Sequence, residues 1–148
     1  MTLTTTTTST TPTTTTLPED YKYTEDFNLF YKFYGNYAYY DDAKTTCQAD
    51  GAYLATPRSF DENQFLLDMF PNEHLWIGIN DIDSEGNFVS LDGHKVSYFR
   101  WSINEPNNKD RKEDLVHLIG CDGGLGEKGK WNDVSSEFRF RFVCFRRI

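Results

Sequence analysis

A chain of 148 residues is long enough to bury one core, and its 16% aromatic content supplies the large side chains a core needs. Its formal net charge of -8 argues against a surface built to follow nucleic-acid phosphates or anionic lipid, though a local basic patch could escape that average. No stretch approaches the roughly 18 consecutive apolar residues of a membrane span, so no membrane insertion is expected; the N-terminus lacks an apolar export core, and any export signal is expected outside this numbering.

Residues 2–16 are almost entirely threonine, with Ser9 and Pro12, and offer too little apolar surface to offset the entropy of ordering. Residues 1–20 are therefore expected to be a disordered Thr-rich tail, either a plain linker or an O-glycosylated stalk, ahead of one domain over residues 21–148. Tyrosine and phenylalanine crowd the chain from Tyr21 to Tyr40; Phe27 to Tyr34 predicts a strand and Gly35-Asn36 a turn. Asp41 or Asp42 offers an N-cap for a helix through Ala43 and Cys47 that ends near Gly51. Ser59 and Glu62 form a capping box, after which Phe65, Leu66, Met69 and Phe70 predict a helix with one apolar face. Trp76 to Ile79 is an apolar run of strand length, expected to be buried. Glu113 to Ile119 reads as a strand on which Leu115, Val116, Leu118 and Ile119 pack. Phe138, Phe140, Phe142 and Cys144 alternate with Arg139 and Arg141, which predicts a last strand with one buried face and its arginines in solvent.

The chemistry concentrates between Asn104 and Asp133, where Glu105-Pro106-Asn107-Asn108 is followed by Glu113-Asp114 and Trp131-Asn132-Asp133. A mixed set of carboxylates and amides without cysteine or paired histidine suits a hard cation, and calcium better than magnesium, which gives up its waters reluctantly. A cis bond before Pro106 would turn Glu105 and Asn107 side by side. A second carboxylate group, Asp81, Asp83 and Glu85, directly follows the Trp76 run. These motifs resemble the calcium and sugar site of C-type lectins; Glu105-Pro106-Asn107 is similar to the mannose-type form, where galactose-type members carry Gln-Pro-Asp. The resemblance implies an α+β fold, two helices flanking small antiparallel sheets with long calcium-binding loops. It implies Glu105, Asn107, Glu113, Asn132 and Asp133 as primary calcium ligands that also bind the sugar. Asp81, Glu85, Asn108 and Asp114, together with Glu113, would form an accessory calcium site. The expected protein is a secreted or cell-surface lectin, not an enzyme, whose partners are mannose-type glycans on cell or microbial surfaces. The competing class is a protein-binding or structural module stabilised by calcium.

Gly51-Ala52-Tyr53-Leu54-Ala55 and Phe142-Val143-Cys144 extend the resemblance over residues 23–147, and it implies a disulfide between Cys47 and Cys144 and an oxidising compartment. The family's second bridge is missing, because Leu115 and Ser136 stand where its cysteines would be. Cys121 fits neither position and is either an unpaired thiol or an intermolecular bridge in a homo-oligomer. The loop over residues 120–129 is longer than the compact family version. Its Gly124, Gly126, Gly129 and Lys130 imitate a phosphate loop, but Trp131 replaces the magnesium-binding hydroxyl and no long helix follows. His74, His94 and His117 have no metal-ligand spacing, and no Ser/His/Asp or Cys/His set points to catalysis.

Overall fold

The computed structural model describes residues 18–103, 105–106 and 113–147, so the expectation for the Thr-rich tail lies almost wholly outside the described residues. In chain order the elements are β1 (Lys22–Thr24), β2 (Leu29–Ala38), α1 (Tyr40–Ala49), β3 (Tyr53–Leu54), α2 (Phe60–Met69), β4 (Leu75–Asn80), β5 (Val89–Ser90), β6 (Leu115–Leu118), β7 (Trp131–Val134) and β8 (Phe140–Arg147). The α+β expectation holds, with one adjustment. The strands join in a single sheet ordered β1-β2-β8-β4-β6-β7, with β3 on β8 and β5 on β4, rather than in separate small sheets. Its middle is a parallel pairing of β4 with β8, Leu75 opposite Arg141 and Trp76 opposite Phe142, while the other pairings are antiparallel.

Alternation along the two central strands sorts the core onto two faces. Leu75, Ile77 and Ile79 of β4 and Val143 and Phe145 of β8 join Leu66 of α2 and Trp131 in one cluster. Trp76 of β4 and Phe140, Phe142 and Cys144 of β8 join Tyr40, Ala43 and Cys47 of α1 in the other. The Cys47–Cys144 disulfide lies within this second cluster and ties α1 to β8. Because β8 is covered on both faces, Val143 and Phe145 are buried beside the expected Phe140, Phe142 and Cys144, and the one-sided pattern predicted for this strand applies only to its first residues.

Three local expectations are corrected. The N-cap of α1 is Tyr39, without a side-chain cap bond; Asp41 and Asp42 sit in the first turn, where their charges favour the positive end of the helix dipole. Gly35-Asn36 is not a turn, because β2 continues through it. The register instead steps from Tyr34 opposite Phe142 to Ala38 opposite Phe140, a bulge held by Arg141 Nε–H donating to the Gly35 carbonyl at 2.8 Å. At α2 the Ser59 hydroxyl accepts from the Glu62 N–H at 3.1 Å, but the Glu62 carboxylate turns away to the Arg58 N–H and the Arg147 guanidinium, so only half of the capping box forms. Met69 is exposed and leaves Leu66 as the fully buried anchor of that helix.

The loop after β6 leaves the sheet through a close backbone approach at Gly120. A Cβ there would stand 2.1 Å from the Glu73 carbonyl oxygen, an overlap that only backbone movement relieves. Gly120→Ala should therefore cost about 2–3 kcal/mol in urea denaturation, in line with overpacking penalties. A loss below about 0.5 kcal/mol would mean that residues 73 and 120 part easily.

Candidate functional site

The polar centre of the molecule is built around β7. Trp131 anchors this strand: its Nε1–H donates to Asn63 Oδ1 at 2.8 Å, and Asn63 Nδ2 donates onward to the Gly129 carbonyl at 2.8 Å. The segment that carries Glu105 is stitched to the same tryptophan. The Trp131 N–H donates to the Arg100 carbonyl at 2.7 Å, the Ser102 N–H to the Trp131 carbonyl at 2.9 Å, and the Glu105 N–H to the Ser102 carbonyl at 3.0 Å. On its other side β7 pairs with β6, Asp133 opposite Val116 and Asn132 opposite His117. Glu113 comes two residues before β6 begins.

These constraints bring carboxylate oxygens of Glu105, Glu113 and Asp133 within 4.8 Å of one another, with Asp133 only 1% exposed. Two unit negative charges at such a spacing repel by about 3–4 kcal/mol at an effective dielectric near 20. The grouping therefore has the chemistry of a cage for a positive ion, and its all-oxygen donors fit calcium rather than zinc. Asn132, next to Asp133 in the chain, is 6% exposed, with its amide nitrogen 3.4 Å from His117 Nε2. Burial, reinforced by the neighbouring His74, pushes the His117 ring down to about 3, so at neutral pH it is uncharged and accepts from that amide. That bond leaves the Asn132 amide oxygen to act as an acceptor. The peptide bond between Glu105 and Pro106 is cis. Asn107 and Asn108 lie outside the described residues.

A second acidic group forms where β4 ends. Asp81, Glu85 and Asp114 also place carboxylate oxygens within 4.8 Å of one another. Asp81 is 1% exposed; its Oδ2 accepts from the Gly86 N–H at 2.8 Å, while its Oδ1 is buried with no hydrogen-bond partner among the described residues. Contact with the Asp81 carboxyl, then burial and the Asp81 and Asp114 charges, pushes Glu85 up to about 7. Burial and the same Asp81 raise Asp114. An orphaned buried oxygen facing two further carboxyls again fits a hard cation. Asp83 is exposed and outside the group, and the Glu113 oxygens gather with Glu105 and Asp133.

Sequence spacing did not reveal the histidine pair. His74 and His117 are remote in the chain, yet β4 and β6 are neighbours and their rings lie 5.3 Å apart. The Gly120 N–H donates to His74 Nδ1 at 3.2 Å, and exposed, free Cys121 has its Sγ 3.7 Å from His74 Nε2. Leu115 is packed in the core and Ser136 is exposed, so the positions of the absent second bridge have become ordinary core and surface. No helix among the described residues is long and apolar enough to cross a membrane.

Residues 37–146 match the family model of the lectin C-type domain. Lectin BRA-3 of Megabalanus rosa is 36% identical over 107 residues, 71% of this chain and 63% of that protein, so the chain spans less than two thirds of that relative. An alpha-N-acetylgalactosamine-specific lectin of Patiria pectinifera is 33% identical over 124 residues, 77% of this chain and 71% of its own length. Among solved structures, the cow CD23 C-type carbohydrate-recognition domain, determined with a GlcNAc2Man3 oligosaccharide present, superposes with a TM-score of 0.77 at 28% identity, covering 91% of this chain and 98% of its own. A calcium-independent type II antifreeze protein shares the fold alone, with a TM-score of 0.76 at 18% identity over 89% of this chain and 95% of its own. With the match running through both helices, the central strands and both acidic groups, this chain belongs to the C-type lectin domain family.

Proposed function

We propose that this domain is an extracellular, calcium-dependent lectin for mannose-type glycans: mannose, fucose, glucose or N-acetylglucosamine. The observation that carries the reading is the convergence of the Glu105, Glu113 and Asp133 carboxylates. In this reading Glu105, Asn107, Glu113, Asn132 and Asp133 hold the primary ion, and Asp81, Glu85, Asn108 and Asp114, with Glu113, hold an accessory one. Calcium at the primary position would supply coordination sites for two adjacent sugar hydroxyls. The carboxylates of Glu105 and Glu113 accept hydrogen bonds from those hydroxyls, and the amides of Asn107 and Asn132 donate to them. The order of acid and amide around Pro106 supports the mannose-type preference. A single shallow sugar site is weak, so avidity calls for several copies. Exposed Cys121 is one means of linking them, and the tail over residues 1–20 would serve as linker or stalk.

The competing reading, a structural or protein-binding module, draws on the fold shared with the antifreeze protein. Retention on immobilised mannose separates the two. Wild type should be retained in calcium and released by a chelator, while Glu105→Gln/Asn107→Asp should lose retention or move to galactose. A wild type that calcium stabilises but that ignores every sugar overturns the lectin reading.

A further inference from the structure

The long loop over residues 120–129 and the segment leading to Glu105 flank an open groove of about 600 Å³, within the roughly 300–1,000 Å³ of small-ligand sites. One wall is Ser102, Ile103 and Glu105, and the other runs from Asp122 to Glu127. Glu105 also belongs to the acidic group with Glu113 and Asp133, so the groove begins where the proposed sugar site ends. Among the described residues its lining holds the carboxylates of Glu105, Asp122 and Glu127 and no basic side chain, together with Ile103, 75% exposed, and half-buried Leu125.

The two walls are fastened to each other. The Glu127 N–H donates to the Ser102 hydroxyl at 3.1 Å, and the Ile103 N–H donates to Glu127 Oε1 at 3.3 Å. Gly126, at φ 130°, passes so close that a Cβ there would stand 2.7 Å from Ser102 Oγ. Within the loop, Gly123 and Gly126 exchange N–H···O=C bonds of 3.2 and 3.1 Å, and Leu125 packs against the core cluster of Trp76 and Phe142. A cleft formed in advance spares a ligand the cost of ordering it. Asp122 accepts from the Lys128 N–H through Oδ1 at 2.8 Å, and the Lys130 ammonium lies 3.7 Å from Glu127 Oε1. These contacts leave Asp122 Oδ2 and Glu127 Oε2 as acceptors. Carboxylate oxygens accept strongly from hydroxyls, and exposed Ile103 offers an apolar contact beside them, which together suit the edge and the C–H face of a sugar ring.

We propose that this groove is a second saccharide subsite, which takes the uncharged sugar residue next to the one held at the primary site. Asp122 and Glu127 accept from its hydroxyls and Ile103 packs against its ring. The subsite rests on the lectin reading and makes an oligosaccharide, rather than a single sugar, the preferred ligand. Calorimetry in millimolar calcium tests it with methyl α-mannoside and a panel of differently linked α-mannobioses. At least one mannobiose should bind about fivefold tighter or more than the methyl glycoside, the gain from one or two added hydrogen bonds. A Cβ at Gly124 would meet nothing within 4 Å, so Gly124→Tyr is tolerated and fills the groove. It should bring that mannobiose down to the affinity of the methyl glycoside and leave binding of the methyl glycoside unchanged. Ile103→Ser should weaken the mannobiose by about threefold through the lost apolar contact, again with the methyl glycoside unchanged. Should Gly124→Tyr lower the melting temperature in chelator, Ile103→Ser alone is read in its place. Equal binding of the methyl glycoside and every mannobiose by wild type, a gain that survives the substitutions, or equal weakening of both ligands by them overturns the subsite and leaves the lectin reading standing. A wild type that binds none of these ligands in calcium overturns the lectin reading and the subsite with it.

Discussion

Asp133→Asn should reduce calcium affinity by about a hundredfold or more and abolish retention on immobilised mannose at millimolar calcium, because ligand charge count is what sets affinity in oxygen-donor sites. Asp133 is 1% exposed and sits on β7 between hydrogen-bonded neighbours, so its carboxylate is fixed before an ion arrives. The asparagine keeps the shape and one carbonyl oxygen and removes the charge. Linkage supplies the control. If calcium at one hundred times its dissociation constant is bound only by the folded chain, it stabilises wild type by about 2.7 kcal/mol, worth roughly 5–10 °C in a domain of this size. The variant should lose most of that increment, yet melt within a few degrees of wild type in chelator. A variant that keeps both the calcium increment and mannose retention would move the sugar site away from the Glu105, Glu113 and Asp133 group. A variant that melts far lower in chelator would show Asp133 acting through packing, and Glu113→Gln would then be the informative substitution.

The parts of this molecule that sequence disclosed are those written in one stretch of chain. Trp76 to Ile79 reads as buried because a run of large apolar residues has nowhere else to go, and all six residues of β4 are buried. Ser59 announces a helix start through a bond only three residues long. The acids of both groups were legible through motif resemblance, and the fold brings Glu105 to Glu113 and Asp133, and Asp81 to Glu85 and Asp114. What stayed hidden depends on which strands become neighbours. The meeting of His74 with His117 follows from β4 pairing β6, which has no local signature. Gly35-Asn36 misled because a glycine and an asparagine inside a strand look like a turn until a partner strand absorbs them as a bulge. Glu62 misled differently: its capping role was outcompeted by the Arg147 guanidinium, 2.6 Å away on the last strand.

Replacing both Cys47 and Cys144 with alanine should cost about 4–5 kcal/mol of stability, since cross-linking a loop of about 100 residues removes that much conformational freedom from the unfolded chain. The two cysteines are 97 residues apart and join α1 to β8, so every element from β3 to β7 lies within the closed loop, while β1 and β2 lie outside it. With Leu115 and Ser136 in place of the second bridge, this is the one intramolecular disulfide among the described residues. The loss is a large fraction of the roughly 5–15 kcal/mol that folded domains possess. Both sulfurs are buried among Tyr40, Trp76 and Phe142, so a packing penalty adds to the entropic one. The two contributions separate experimentally. Reducing the wild type removes the cross-link and leaves the sulfurs in the core, whereas the double alanine variant removes both. Reduced wild type should therefore lie between the oxidised protein and the variant in urea midpoint, and its denaturant slope should rise toward that of the variant as the unfolded chain expands. Reductant should leave the variant's own midpoint unchanged. A loss below about 1 kcal/mol would mean that the long β2 and β8 pairing already restrains the unfolded chain, and that the bridge adds little to a sheet that holds its own ends together.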